Sequence, residues 1–219
     1  MIDKNYISFF QNLALNNNKT WFHANKQDYE KHVKIPFLHL LDLLIPEVEK
    51  LEPLIASDPK AALFRINRDI RFSKDKSPYN TLMKAGFAPG GKKSELPGYY
   101  LGISAESIHV GGGLFNISTA QLKKIRLLIA SNTEEFIEII SNKSFTEVFG
   151  GLKGEQAKRL DKDFQQTQSI TPHIANKQFY VMQEYRLEEY LNADKLLEII
   201  INSFKEVNTL NNYLKRSFE

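Results

Sequence analysis

The amino-acid sequence predicts an α+β protein, a single domain over residues 1–219 with a mainly antiparallel sheet flanked by N-terminal and C-terminal helices. Three observations predict it. Apolar residues recur at helical spacing near both ends of the chain. Short apolar or alternating runs bounded by Gly, Pro and Ser fill the middle. These runs follow one another without a helix between them, which favours an antiparallel meander over βαβ units.

Taken in order, Tyr6, Phe9, Phe10 and Leu13 form a helical stripe behind Asp3, a good N-cap, and Asn16–Asn18 end it. Thr20 is the expected cap of a second helix running through Trp21, Phe22, Tyr29 and Val33 to Val48. Pro36 kinks it or starts a fresh segment, since proline lacks the amide hydrogen a helix interior needs. Phe64, Ile66, Ile70 and Phe72 alternate with Arg65, Asn67, Asp69 and Arg71, the pattern of a strand with one buried face. Further strands are expected over 85–88, 98–104 and 107–111, with turns at Pro89-Gly90-Gly91 and Ala105-Glu106. Ser118 and Gln121 form a capping box ahead of Leu122, Ile125, Leu128 and Ile129, and Thr133 is the expected cap of the next helix. Residues 150–177 carry no clear period. Residues 179–182 read as a late strand, and Leu196 to Leu214 as a long closing helix.

Composition excludes several classes. There is no cysteine, which removes disulfides, thiolate nucleophiles and Cys-ligated metals. None of the five histidines pairs with another at i, i+4, so neither a metal nor another cofactor is expected. No apolar run approaches the ~20 residues of a membrane span, and the first residues lack a signal-peptide pattern. A cytoplasmic location without membrane partners is the expectation. The net charge of +3 is uneven: residues 60–93 hold nine bases and two acids, a net +7, which leaves −4 for the rest. Clustered positive charge raises the local potential that attracts anions.

Within that segment, Arg65, Asp69 and Arg71 would share one face of the expected strand. Two guanidinium groups there can clamp a phosphate or carboxylate, with Lys76 adding charge and Asp69 orienting them. Arg68, Ser73, Asp75 and Tyr79 complete the block, and Trp21 and Lys26 are candidate lid and cation from the second helix. The alternatives are that Asp69 and Asp75 neutralise the arginines in a structural network, or that the block is an exposed basic surface for nucleic acid or an acidic protein. Ser73 and Lys76 have Ser-x-x-Lys spacing but lack the companion motifs of that chemistry. Gly86–Lys93 approximates a phosphate-binding loop, yet Lys93 stands where Ser or Thr is required, so a hairpin turn is expected. Asp75 and Lys76 are adjacent rather than one residue apart, unlike a metal-dependent nuclease strand. No nucleic-acid-binding module motif is present. Gly111-Gly112-Gly113 permits close approach of a backbone or ligand, or marks a bulge.

The block Arg65-x-x-Arg68-Asp69-x-Arg71-Phe72-Ser73-x-Asp75-Lys76-x-Pro78-Tyr79 resembles the hallmark of a widespread microbial family of conserved hypothetical proteins, a domain of unknown function. Asn17, Asn18, Trp21, Phe22, Lys26 and Tyr29 are similar to that family's opening pattern, and Gly98-Tyr99-Tyr100, Gly111–Gly113 and Arg126 to later landmarks. After Leu152-Lys153 the chain departs from it: Gly154–Leu160 stands where a Pro-x-Gly-aromatic element is usual. The resemblance implies no reaction. Whether the protein is an enzyme is left open, and binding of a small anionic ligand (phosphate, nucleotide or carboxylate) is the leading expectation.

Overall fold

Asp3 holds an extended backbone, and its carboxylate accepts the amides of Asn5 and Tyr6, which opens α1 at Lys4–Leu15. The computed structural model describes residues 1–55 and 58–219. Helix α2 (Lys19–Ala24) is capped by Asn18, whose side chain accepts the Trp21 amide. Thr20 therefore lies inside the helix rather than at its cap. The expected long second helix is broken into α2, α3 (Lys26–Asp28), a π-helical stretch (Tyr29–Lys34) and α4 (Ile35–Leu51). The Ile35 amide reaches back five residues to Glu30, and Pro36 follows in the first turn of α4, where its missing N–H is tolerated. A short α5 (Pro59–Ala62) leads to the basic segment.

Four strands, β1 (Leu82–Phe87), β2 (Gly98–Ser104), β3 (Ser107–Leu114) and β4 (Phe179–Arg186), pair antiparallel in the order β1-β2-β3-β4. The sheet is the expected meander, with β1, β3 and β4 longer than predicted. No strand forms over residues 64–72. The Phe64 amide donates to Lys84 at the sheet edge, 2.8 Å, and the chain then folds on itself. Arg68 donates its amide to Pro78, Asn80 donates to Ile66, and Asn67 bridges Tyr79. Phe72, expected on the buried face, is 95% exposed.

Ser118 caps α6 (Thr119–Ser131) through the Gln121 amide, but the Gln121 side chain donates to Ser217 instead of closing the box. Thr133 begins α7 (Thr133–Ser141) without capping it: its hydroxyl donates to the Ile129 carbonyl at 2.9 Å, and Asn132 is the cap residue. Helices α8 (Lys143–Phe149) and α9 (Gln165–Ile170) follow. Within residues 150–177, Lys153 bridges to Tyr180 of β4 and donates its ammonium to the Met182 carbonyl, while Gln156 bridges to Asn176 inside the segment. Helix α10 (Ala193–Lys215), capped by Asn192, lies along β3 and β2. Among the described residues no helix is long and apolar enough to cross a membrane.

One face of the sheet is core. Met83, Ala85 and Phe87, then Tyr99, Leu101 and Ile103, then Ile108, Val110 and Leu114, then Phe179 and Val181 are all buried there. Ile200, Phe204, Val207 and Leu210 of α10 cover it, and the Tyr6 hydroxyl of α1 donates to the Ile103 carbonyl at 2.8 Å. Glycine at 112 sets the fit. A Cβ there would stand 2.6 Å from Val207 Cγ1 and closer still to the Gly98 carbonyl oxygen.

Gly112→Ala should therefore cost about 3 kcal/mol or more, because a backbone carbonyl cannot rotate away as a side chain does. Gly150→Ala, in open space at φ 67, should cost only about 1–2 kcal/mol from its left-handed backbone. Urea unfolding of the two variants compares them. Equal losses would show that close approach is not what Gly112 serves.

Candidate ligand-binding site

The basic segment is an irregular hairpin whose charged groups are largely engaged with one another. Arg68 forms an ion pair with Asp75 and also donates to the Ser77 carbonyl (3.1 Å) and the Ser73 hydroxyl (3.4 Å). Asp75 in turn accepts the Ser77 amide and hydroxyl at 2.9 and 2.7 Å. Arg71 grips Asp69 with two guanidinium nitrogens, at 3.0 and 2.7 Å. Lys76 donates to the Ile70 carbonyl, 3.0 Å. Arg65 is exposed and forms no hydrogen bond or ion pair among the described residues, although its charge acts on Asp69. The Ser73 hydroxyl faces Arg68 rather than Lys76.

Tyr79 is buried. It stacks on Phe22 with ring centres 4.0 Å apart, and its backbone pairs with the Asn17 amide side chain. Trp21 leans on Phe9 at 5.5 Å, as a core contact. Lys26 lies exposed on α3. The structure thus joins Arg65, Arg68, Asp69, Arg71, Ser73, Asp75 and Lys76 in one loop and sets Tyr79 and Trp21 in the aromatic packing beneath α1. None of the ten lines the main cavity of the described residues.

That cavity, about 880 Å³, lies on the sheet face that the helices leave uncovered. The strand register builds it. Across the sheet run Gly86, Tyr100, Gly111 and Met182; beside them lie Lys84, Gly102, His109 and Glu184; and on the other side Gly98, Gly113 and Tyr180. Five of these eleven positions are glycine, so the floor is largely backbone. Side chains lie over two of the gaps: the Phe64 ring approaches within 3.1 Å of where a Gly86 Cβ would be, and the Tyr100 hydroxyl within 3.0 Å of one at Gly102. Phe115 meets Tyr180 edge-on at 5.2 Å on the far rim.

The side chains that line the cavity directly carry charge of one sign, and Glu184, on the same sheet face, stands at its edge 4.0 Å from the His109 ring. Lys92 and Lys93 line it with His109, Tyr100, Tyr180 and Asn116, and no carboxylate does. Lys92 is partly committed, since its ammonium donates to the Leu63 carbonyl and sits 5.8 Å from the Phe64 ring centre. The Gly86–Lys93 stretch is thus the end of β1 followed by a turn, with Gly90 and Gly91 at φ 80 and 97. Lys93 is exposed and unpaired among the described residues. Burial alone pushes the Tyr100 phenol up to about 12, so it stays protonated as a donor at neutral pH. Its hydroxyl has no partner among the described residues. Beside the cavity, burial lowers the Lys84 ammonium, with a smaller push from the Arg68 charge. Lys84 donates to Asn80 at 3.1 Å. No group of three acidic or histidine side chains among the described residues stands close enough to hold a metal.

Composition and motif spacing did not single out this cavity. The available signal was glycine at same-face positions of neighbouring strands, Gly98 and Gly102 (four apart) in β2 and Gly111 and Gly113 (two apart) in β3, which strips side chains from one face.

The Asp69 pair gives a pH prediction. Hydrogen bonds from the Arg71 side chain and amide hold the Asp69 carboxyl down at about 2. Because the folded value lies below the ordinary ~3.9, the clasp is in place above that pH and is lost as pH falls through about 2. Carboxyl-carbon NMR titration should find this low midpoint, and Arg71→Ala should return it toward ~3.9. A wild-type midpoint near the ordinary value would show that the clasp does not persist in solution.

Among solved structures, the chain is similar to an uncharacterized protein from Methanothermobacter thermautotrophicus at 13% identity and a TM-score of 0.38, covering 80% of this chain and 98% of that one. Curated proteins yield no match. A family model describing conserved hypothetical proteins, DUF2461, matches residues 5–213. The chain belongs to that family.

Proposed function

We propose that the protein binds a small anionic ligand with a flat or apolar body, seated in the cavity on the uncovered face of the sheet. One observation carries this reading: the lining combines lysines, hydrogen-bond donors and aromatic walls with no carboxylate. The volume falls in the ~300–1,000 Å³ range of small-molecule sites. Phe64, Phe115 and Met182 offer apolar walls, Tyr100 and Tyr180 offer hydroxyls, and Lys93 offers an unpaired cation. The anion expected between Arg65 and Arg71 moves here, because Arg71 already spends its guanidinium on Asp69. The neighbouring loop still contributes long-range positive potential.

Thermal unfolding against phosphates, nucleotides and aromatic carboxylates at fixed ionic strength tests the proposal. A ligand at 100 times its Kd should add about 2.7 kcal/mol, or about 5–10 °C for a chain of this size. Met182→Trp, which fills the trough, and Lys93→Glu, which reverses the cation, should each remove most of that shift. A shift that survives both variants would place the ligand elsewhere, and no shift with any anion would overturn the reading.

A further inference from the structure

The loop that braces itself with ion pairs also carries the most exposed large apolar side chain among the described residues. Phe72 is 95% exposed. It stands with Arg71 at the corner of a turn closed by the Ser73 amide on the Ile70 carbonyl, 3.3 Å. Turn corners ordinarily hold small or polar residues, because they project into water. Here the corner reads Arg-Phe, and the segment around it is pinned rather than loose. Asp69 holds the Arg71 amide and guanidinium, Lys76 holds the Ile70 carbonyl, and Arg68 ties Asp75 and Ser77 back to the stem. These contacts consume the loop's carboxylates. Residues 65–76 contain five bases and two acids, a net +3, and both acids are turned onto arginines. Arg65 and Lys74 remain exposed and unpaired among the described residues, and the Lys76 charge meets only a carbonyl.

From this we propose that the loop tip docks single-stranded nucleic acid, with Phe72 stacking on an unpaired base and Arg65, Lys74 and Lys76 meeting the adjoining phosphates. A single ring in a cationic surround matches a chain that offers one aromatic face and one negative charge per nucleotide. Insertion into a lipid surface would need more apolar area than one phenyl beside Ser73, Lys74 and Asp75 provides. Duplex is disfavoured because its bases are already stacked and present no free face. The site is separate from the cavity and does not depend on the ligand proposed for it.

The test is fluorescence anisotropy of a labelled oligothymidylate of about 12 nucleotides, inside the ~4–16 range typical of such sites, with the whole chain at several salt concentrations. Phe72→Ala should weaken binding about 5- to 150-fold while leaving the unfolding temperature unchanged, and Phe72→Trp should restore it. Lys74→Ala should lower the slope of log affinity against log salt by about 0.7, one phosphate contact. The duplex of the same length should bind more weakly and ignore Phe72→Ala. Met182→Trp in the cavity should change none of this. Equal oligothymidylate affinity for wild type and Phe72→Ala would overturn the proposal. So would Phe72-dependent binding to phosphatidylserine vesicles without binding to the oligonucleotide.

Discussion

The seating of α10 on the backbone of Gly112 governs much of the rest of the molecule. Val207 lies where a side chain at 112 would project, so the helix rests on the peptide plane itself, and β2 closes on β3 at the same point. The flanking glycines extend the effect. A Cβ at Gly111 would stand 2.9 Å from Met182 Cα, and one at Gly113, where φ is 111, would stand 2.7 Å from Tyr180 Cα. Together these residues bring three strands and one helix to a separation that no other residue type permits. The core then follows. Phe204 reaches Tyr99 and Phe87 at ring-centre distances of 5.1 and 5.9 Å, and α10 packs against α4.

That close packing on one face has a consequence on the other. A sheet with helices on a single side exposes its second face, and strands normally clothe it with polar side chains. Here Gly86, Gly102, Gly111 and Gly113 leave it partly bare, so Tyr100, Tyr180, Met182 and Phe64 stand around a trough instead of filling it. The cavity is thus partly a by-product of how β2, β3 and β4 are held together. Its cations come from outside that scaffold: Lys92 and Lys93 lie on the connection after β1, and the basic loop precedes β1.

What the sequence disclosed and what it hid divide by the range of the deciding interaction. The Asp3 cap was legible because both partners lie within three residues, and the stripes of α1 and α10 were legible because burial of one face repeats with the helix period. The cap at Thr20 lost to Asn18, two residues away and equally able to accept a bond, a choice set by where the chain enters the helix. Residues 64–72 alternate like a strand for a different reason. Their polar members pair within the hairpin, Arg68 with Asp75 and Arg71 with Asp69, while only Ile66 of the apolar set is fully buried. A period-two pattern reports a buried face only when the polar residues have water as their alternative partner. The charge of the candidate region was plain from composition, whereas the cavity, defined by missing side chains and by cross-strand register, was not.

The ion pairs of the loop serve shape more than stability. Exposed pairs of this kind are screened by water and contribute little, too little to offset the ordering of about ten residues at about 1–2 kcal/mol apiece. An unbraced loop of this composition would be free to fold Phe72 against the apolar stems of its own arginines and lysines. With Arg71 held by Asp69 and Arg68 by Asp75, the only contact offered to the phenyl ring among these pairs is the Arg71 guanidinium over it, 5.7 Å from its centre, which leaves Phe72 95% exposed. The ring therefore stays in water at a cost that burying it would have relieved, and it is this exposed ring that the proposed stacking on an unpaired base would use.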